Sequence, residues 1–277
     1  MALIKIDGKA KFTGKTIFDG GPAFTPTSIS GLQVWLDASD TSTLYDSTVG
    51  GSLVTSDGSA VARWEDKSGF GRHASQSTVN ARPTLKLNQK NSRPGLRFDG
   101  NDFLRRTQQL FTTTYSMFVV CKFDNNTTRN AAIDLGVGTT GATTLVIEQN
   151  TWATTGQKYG LYSSGNSYDT NFSTSSGEKL FAVTGNATSQ NNIINNTTYR
   201  INGVTGSLVG RALYGGGKYT NFTSVSGFAI GGFNSTATSS GIMISGNIYE
   251  VLVYNTALNT TQCQQVETYL NNKWALY

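Results

Sequence analysis

The chain has 277 residues, of which 37% are hydrophobic and only 14% are charged. Globular chains carry about 25% charged residues, so Ser, Thr, Asn and Gly must form most of the surface here. This composition excludes a protein built of long surface helices, whose exposed faces favour charged residues. The net charge of +5 comes from basic and acidic residues scattered along the chain, without the basic and aromatic clusters of a nucleic-acid-binding surface, so no nucleic-acid partner is expected. No apolar run of about 18 residues occurs, which excludes a transmembrane helix, and we expect no secretory signal near Met1.

Residues 1–27 differ in pattern from the rest of the chain. Leu3–Ile6 and Lys9–Phe12 are predicted as short strands separated by the turn signal Asp7-Gly8, and Gly20-Gly21-Pro22 then interrupts the pattern. An arm of this length is too short to bury a core alone. It is either the first strand of the main sheet or an assembly and anchoring arm, and its lysines leave a negatively charged surface as one partner.

Beyond Gly31, short strand patterns alternate with turn signals, which is typical of a sandwich or jelly roll. The clearest strand is Tyr115–Phe123, in which every second residue is apolar and shares one face. Further strand candidates are Leu96–Phe98, Thr143–Glu148, Leu180–Thr184, Thr198–Ile201, Gly227–Ile230 and Ile248–Tyr254. The sequence therefore predicts an all-β, two-sheet jelly-roll sandwich over residues 28–277, preceded by the short β-arm.

One helix is predicted, at the C-terminal end. Asn259 and Gln262 have the spacing of a capping box. An apolar stripe at helical spacing follows and is expected to pack on the sandwich; it consists of Cys263, Val266, Leu270 and Trp274.

The two cysteines, Cys121 and Cys263, each lie in an apolar pattern. One disulfide between them is an alternative, but we expect two buried free thiols, because free cysteine behaves as a small hydrophobe.

Six short motifs follow one another in order along the chain. They are GLQVWLDA at 31–38, WEDKSGFGRHA at 64–74, RFDGNDFL at 97–104, YRING at 199–203, FAIGG at 228–232 and GNIYEVLVYN at 246–255. This ordered set, with the capped helix after it, resembles the concanavalin A-like lectin/glucanase superfamily in its laminin-G-like branch, of the kind found in phage virion structural proteins. The resemblance covers about residues 31–277 and implies a two-sheet jelly roll, a fold that serves both sugar-binding and structural modules.

The acidic residues lack the pattern of a glycosidase. Members of that superfamily with this activity carry carboxyls at alternate positions of one strand, and a retaining pair stands about 5–5.5 Å apart. No Asp or Glu pair with this spacing occurs in the chain, so the sequence predicts a non-enzyme, although a pair built from different strands stays open. His73 is the single histidine and is predicted to be structural or solvated. The GxGxxG match at 136–141 precedes a strand pattern, so it is predicted as a turn rather than a phosphate-binding loop.

Aromatic residues in polar loops rich in Gly, Ser and Asn are the candidates for carbohydrate binding, because a sugar ring stacks on an exposed aromatic side chain. They are Trp152, Tyr159, Tyr162, Tyr168 and Phe172; the alternative is that these rings cover an edge of the sandwich. No cofactor is predicted. Calcium, which proteins hold with loop oxygens, has weak candidate ligands in Asp99, Asn101 and Asp102, and the alternative is that these side chains cap backbone N–H groups of a turn.

These features favour a non-enzymatic structural protein on the surface of a virion, either a capsid decoration protein or a fibre or appendage. Its lectin-like domain would bind host-surface glycans. The expected partners are other virion proteins, contacted through residues 1–27, and further copies of the chain, with a trimer as one option. The alternative is a free carbohydrate-binding module, and a glycoside hydrolase is the third candidate.

Overall fold

The computed structural model describes residues 24–111, 113–124, 130–136, 145–149, 158–163, 166–186, 196–211, 225–232 and 242–277. Most of the predicted arm therefore lies outside the described residues. The α-helix of the described part is α1 (Thr260–Trp274). The strands are β1 (Leu32–Asp37), β2 (Leu44–Tyr45), β3 (Arg63–Trp64), β4 (Ala74–Ser75), β5 (Thr84–Lys90), β6 (Arg93–Asp99), β7 (Leu104–Phe111), β8 (Thr114–Phe123), β9 (Asn130–Leu135), β10 (Leu145–Gln149), β11 (Lys158–Ser163), β12 (Asn166–Ser173), β13 (Lys179–Asn186), β14 (Thr197–Ile201), β15 (Val204–Gly206), β16 (Leu208–Arg211), β17 (Val225–Ile230) and β18 (Ser245–Tyr254).

The strands form two antiparallel sheets that enclose one core. The first sheet has the order β15-β14-β13-β8-β18-β6-β5, with β1 also paired to β18, and the second has the order β16-β12-β11-β10-β9-β17-β7-β4-β3-β2. The main hydrophobic cluster contains side chains from both sheets, among them Val119 of β8 and Phe228 of β17. The predicted all-β two-sheet sandwich with one C-terminal helix is confirmed.

Strand β8 lies at the centre of the first sheet and is buried on both faces. Its alternate residues from Tyr115 to Phe123 point into the sandwich core, as predicted. The residues between them include Phe118 and Val120, which belong to a second hydrophobic cluster on the outer face of the sheet. An apolar residue at nearly every position is the pattern expected of a strand covered on both sides.

Helix α1 provides that outer cover and forms a third layer. Its predicted stripe, from Cys263 to Trp274, is buried against the sheet. The capping box is confirmed, because Asn259 Oδ1 accepts a hydrogen bond from Gln262 N at 2.9 Å and Gln262 Oε1 accepts one from Asn259 N at 3.0 Å. Cys121 and Cys263 belong to the two different clusters and are both free, as expected.

Two segments differ from their prediction as loops. Lys158–Ser163 and Asn166–Ser173 form strands β11 and β12 of the second sheet. Among their polar residues and glycines, three side chains face the core: Tyr159, Leu161 and Tyr168. Tertiary burial of these few side chains outweighs the weak strand propensity of the remaining residues.

Two turn predictions can be compared with the strand pairing. The predicted Asn-Gly hairpin joins β14 and β15, and Asn202 and Gly203 both have positive φ, 49° and 76°. Strands β9 and β10 are antiparallel neighbours, which is what the predicted turn in the GxGxxG segment requires, although residues 137–144 lie outside the described residues. Within the described part of the chain, no helix is long and apolar enough to span a membrane.

Candidate functional site

Two of the predicted sugar-binding aromatics belong to the core. Tyr159 is 1% exposed and Tyr168 is 4% exposed. The Tyr159 hydroxyl donates to Ser175 O at 2.9 Å, and its ring lies 5.1 Å from the ring of Phe181. The prediction that these two rings are exposed in loops is wrong, because the strands that carry them turn the rings inward to complete the core.

The structure describes the other three candidates only in part. Phe172 is half-buried on β12 and packs against the core. Tyr162 is a residue of β11, paired in register with Val146 and Ser167. The side chain of Tyr162 and the whole of Trp152 lie outside the described residues, so a role for these two in binding stays a prediction.

The weak calcium candidates are engaged in the turn after β6. Asp99 Oδ1 accepts a hydrogen bond from Asn101 N at 3.1 Å, and Asp102 Oδ2 accepts one from Asp99 N at 3.0 Å. Burial raises the pKa of Asp102 to about 7. The two backbone contacts match the turn-capping alternative, and no group of three or more His, Cys, Asp or Glu side chains in the described part of the chain could hold a metal ion.

The predicted structural role of His73 agrees with its contact. Its Nδ1 accepts a hydrogen bond from Asp66 N at 3.0 Å. Asp66 in turn accepts bonds from the backbone N–H groups of Trp35, Ser68 and Arg72. The imidazole is thus part of a loop held together by one carboxylate.

Two carboxyls from different strands do lie side by side. Asp37 of β1 and Glu250 of β18 are partners in register. Glu250 is fully buried and accepts four hydrogen bonds, whose donors are Trp35 Nε1 at 2.9 Å, Tyr269 OH at 2.8 Å, Trp274 Nε1 at 2.7 Å and Lys273 Nζ at 2.8 Å. The pair lies beneath α1, and both carboxyls are buried.

Lysines neutralise this buried pair. Lys273 Nζ lies 2.6 Å from Asp37 Oδ1, and Lys67 Nζ lies 3.0 Å from Asp37 Oδ2. Burial alone raises the pKa of Asp37, but the charge and hydrogen bond of Lys273 outweigh it and lower that pKa. Burial and the neighbouring Asp37 charge raise the pKa of Glu250. The arrangement joins helix to sheet, and sequence spacing missed it because the two acids are far apart in the chain.

A groove runs along the opposite, exposed side of α1. It has a volume of about 760 Å³, and Phe24, Tyr269 and Arg93 form part of its wall. The helix contributes an uncharged stripe at helical spacing, consisting of Thr261, Gln264, Gln265, Thr268 and Asn272. Exposed helix faces normally carry Glu, Lys and Arg, so this stripe is unusual.

The charged residues of α1 point away from the exposed stripe. Glu267 is 3% exposed and pairs with Arg200, with Nε to Oε1 at 2.7 Å and Nη2 to Oε2 at 2.9 Å. Lys273, although it also lines one end of the groove, directs its ammonium to Asp37 and Glu250. The helix therefore presents hydroxyls and amides to the groove and holds its charges in ion pairs.

The walls of the groove are fixed by direct contacts. The ring of Phe24 lies 6.0 Å from the ring of Tyr269, and the Tyr254 hydroxyl donates to Pro26 O at 3.0 Å. At the other end, Asn91 Nδ2 and Arg93 Nε donate to Lys273 O at 2.9 and 3.0 Å.

This combination of groups suits a ligand rich in hydroxyls. Each Gln or Asn side chain offers both donors and an acceptor, and the aromatic rings add apolar surface. Sequence reasoning assigned the helix to packing alone. The sequence signal that could have revealed the groove is the second, uncharged stripe of the same helix.

Comparisons with known proteins indicate a shared fold. No protein-family model matches the sequence, and no curated protein matches it. Among solved structures, Trypanosoma rangeli sialidase in complex with 2,3-difluoro-KDN is 13% identical, with a TM-score of 0.50 over 88% of this chain and 33% of that chain; another structure of T. rangeli sialidase has a TM-score of 0.51. Domain 4 of AbnA, an extracellular arabinanase from Geobacillus stearothermophilus in complex with arabinotriose, is 14% identical over 86% of this chain and 98% of that chain, with a TM-score of 0.45. The chain spans about a third of the sialidase, and at these identities the likeness is one of fold alone.

Proposed function

We propose that this chain is a non-catalytic β-sandwich module that binds neutral carbohydrate in the groove along α1. The observation that carries the proposal is the uncharged amide and hydroxyl stripe of an exposed helix, placed beside Phe24 and Tyr269. Membership of the concanavalin A-like superfamily is part of the proposal, supported by the ordered motifs and by the sandwich.

Neutral sugars match the groove because every hydroxyl both donates and accepts a hydrogen bond. Gln264, Gln265 and Asn272 supply both functions without a charge that would have to be desolvated. The volume of about 760 Å³ lies in the usual range for small-ligand sites, about 300–1,000 Å³. A short oligosaccharide is therefore the expected occupant.

The non-catalytic part of the proposal rests on where the carboxyls lie. The neighbouring acids Asp37 and Glu250 are 4% and 0% exposed and are engaged by lysines and ring N–H or O–H donors. A glycosidase needs one carboxyl free to protonate the leaving oxygen and another free to act on the sugar or on water. We expect no release of reducing sugar from laminarin, arabinan or sialosides, and turnover that persists in a repurified sample would refute this part.

The binding test uses a glycan array followed by calorimetric titration of the best neutral ligand. We expect dissociation constants between millimolar and micromolar. The double variant Gln265→Ala/Asn272→Ala should weaken binding at least tenfold, since it removes amides from two turns of the exposed helix. Asn80→Ala is the matched control, because Asn80 is also an exposed amide but lies between β4 and β5, outside the groove.

Two outcomes would contradict the glycan groove. The first is a blank array with a protein that shows a cooperative unfolding transition. The second is a double variant that binds as tightly as the Asn80→Ala control. A concentration-dependent dimer that the double variant abolishes would identify a second copy of the chain as the occupant instead.

We also propose that the module is carried on the surface of a virion, in a decoration, fibre or appendage protein, with residues 1–27 joining it to other virion proteins or to further copies. Contacts at the described end of this segment support a defined connection to the sandwich domain: Phe24 packs on Tyr269, and Pro26 O accepts a hydrogen bond from the Tyr254 hydroxyl. Deleting residues 1–23 preserves these contacts and should leave the melting temperature unchanged while abolishing incorporation into particles. A truncated protein that incorporates fully would contradict the anchoring role.

A further inference from the structure

A second concavity lies on the outer face of the first sheet, at positions of β5, β6, β8 and β18 that lie outside the hydrophobic cluster beneath α1. Its floor is a row of three residues that are neighbours in register: Lys122 of β8, Asn247 of β18 and Arg97 of β6. We call this concavity, of about 690 Å³, the polar basin. It differs from the helix groove in strands, residues and chemistry.

The charges of the polar basin do not cancel. Arg97 pairs with Asp124 at 2.5 Å, and Lys86 lies 3.7 Å from Asp57. Lys122, which is half-buried, forms no ion pair with any residue in the described part of the chain. Three cations and two anions thus line the basin. Arg97 is the main partner of Asp124, and Lys122 acts on that carboxyl only through its charge, which helps to lower the pKa of Asp124.

The floor also carries an amide oxygen that lacks a donor. Asn247 is 7% exposed, and its Nδ2 donates to Gln89 Oε1 at 3.1 Å and to Tyr249 OH at 3.3 Å. Its Oδ1 accepts no hydrogen bond from the described residues. A buried acceptor without a partner is unfavourable, and a ligand hydroxyl that reaches Asn247 on the floor of the basin would supply the missing donor.

We infer that the polar basin binds an acidic sugar, a hydroxylated ligand that carries one anionic group. The anion pairs with the Lys122 ammonium, and a ring hydroxyl donates to Asn247 Oδ1. The amide of Gln89 and the Arg97–Asp124 pair offer further donors and acceptors around the ring. This inference does not depend on the helix groove, because none of its residues lines that groove.

The test compares three probes by NMR titration of the full chain: glucuronate, glucose and inorganic phosphate. Glucuronate should bind in the millimolar range and perturb the backbone signals of β8 and β18. Glucose lacks the anion and phosphate lacks the ring, so each should bind at least fivefold more weakly. Raising the salt concentration should weaken glucuronate binding, because an exposed ion pair is screened.

Lys122→Ala should weaken glucuronate binding about tenfold, as expected for loss of one charge-assisted hydrogen bond. Lys158→Ala is the matched control, because Lys158 is a half-buried lysine of β11 in the other sheet. An unchanged melting temperature of both variants checks that they fold.

Equal affinity of Lys122→Ala and Lys158→Ala for glucuronate would overturn the inference. So would glucose that binds as well as glucuronate, since the anion would then have no role. Phosphate that binds as tightly as glucuronate would indicate a plain anion site and would also overturn it. Failure of neutral glycans in the helix groove leaves this result unaffected.

Discussion

Replacing Glu250 with Ala removes the acceptor on which helix and sheet converge. Four donors meet at this carboxylate, from Trp35, Tyr269, Trp274 and Lys273. Three of these residues belong to α1 and the fourth to β1. The substitution therefore tests whether α1 is held on the sheet by this polar contact or by its apolar stripe alone.

The expected decrease in the free energy of unfolding depends on which donors lose their only acceptor. Lys273 keeps Asp37 at 2.6 Å, so it is not left alone. The Trp274 indole is fully buried, and a buried donor without a partner costs about 1–3 kcal/mol. Trp35 and Tyr269 are half-buried and recover part of their bonding from water. Their two hydrogen bonds add about 0.5–1.5 kcal/mol each, so we expect a total decrease of about 4 kcal/mol in the free energy of unfolding.

Urea denaturation followed by circular dichroism measures this decrease directly. In a thermal scan it corresponds to a fall in melting temperature of roughly 10 °C for a domain of this size. Asp57→Ala is the control: Asp57 lies 3.7 Å from Lys86 and accepts a hydrogen bond from Leu87 N at 2.7 Å, but its side chain is 55% exposed. It should change the free energy of unfolding by less than about 1 kcal/mol.

A decrease below about 1 kcal/mol for Glu250→Ala, or one no larger than that of the control, would refute the reasoning. Glu250→Gln tests whether the loss of stability comes from the charge and acceptors of the carboxylate rather than from the size of the side chain. It keeps one acceptor oxygen but sets an N–H₂ group against donors, so it should remain strongly destabilised. A Gln variant as stable as the parent protein would show that charge and acceptor number are unimportant at this position.

Three further changes test other contacts of the described residues. Glu267→Gln breaks the buried pair with Arg200 and should lower the free energy of unfolding by about 3 kcal/mol in urea titrations. Asn259→Ala removes the helix cap and should cost about 1 kcal/mol by the same measurement. Burial raises the pKa of Asp102 to about 7 from 3.8, so the folded state binds this proton more tightly and stability should fall as pH rises from about 4 to 7. In Asp102→Asn that contribution disappears, which a comparison of urea midpoints at both ends of this pH range will reveal.

Much of the fold could be predicted because several segments have strong local periodicity. In β8, apolar residues at every second position specify the face toward the core, and in α1 the capping residues and the stripe agree with each other. Such agreement between local signals is what makes a segment predictable from sequence. The free state of Cys121 and Cys263 followed as well, because each lies on an apolar face.

The strands β11 and β12 could not be predicted for the opposite reason. Their polar and glycine-rich sequence satisfies the signals of a loop, and only the sheet as a whole shows that Tyr159 and Tyr168 face the core. The sequence alone therefore predicts that Tyr159 and Tyr168 bind a ligand, whereas both rings belong to the interior. The Asp37–Glu250 pair escaped prediction because strand pairing, not chain spacing, brings the two residues together.

The placement of charge on α1 links stability to the proposed function. Glu267 and Lys273 are engaged in ion pairs on the sheet side, while the exposed stripe carries amides and hydroxyls. Buried ion pairs contribute little net stability compared with apolar residues of similar size, and exposed amides stabilise a helix less than the charged pairs that such faces usually carry. Selection for stability alone would therefore favour other residues both on the sheet side and on the exposed side of α1. Under the proposed function, a ligand on the exposed side accounts for the amides and hydroxyls, and the ion pairs beneath fix the orientation of the helix beside the groove.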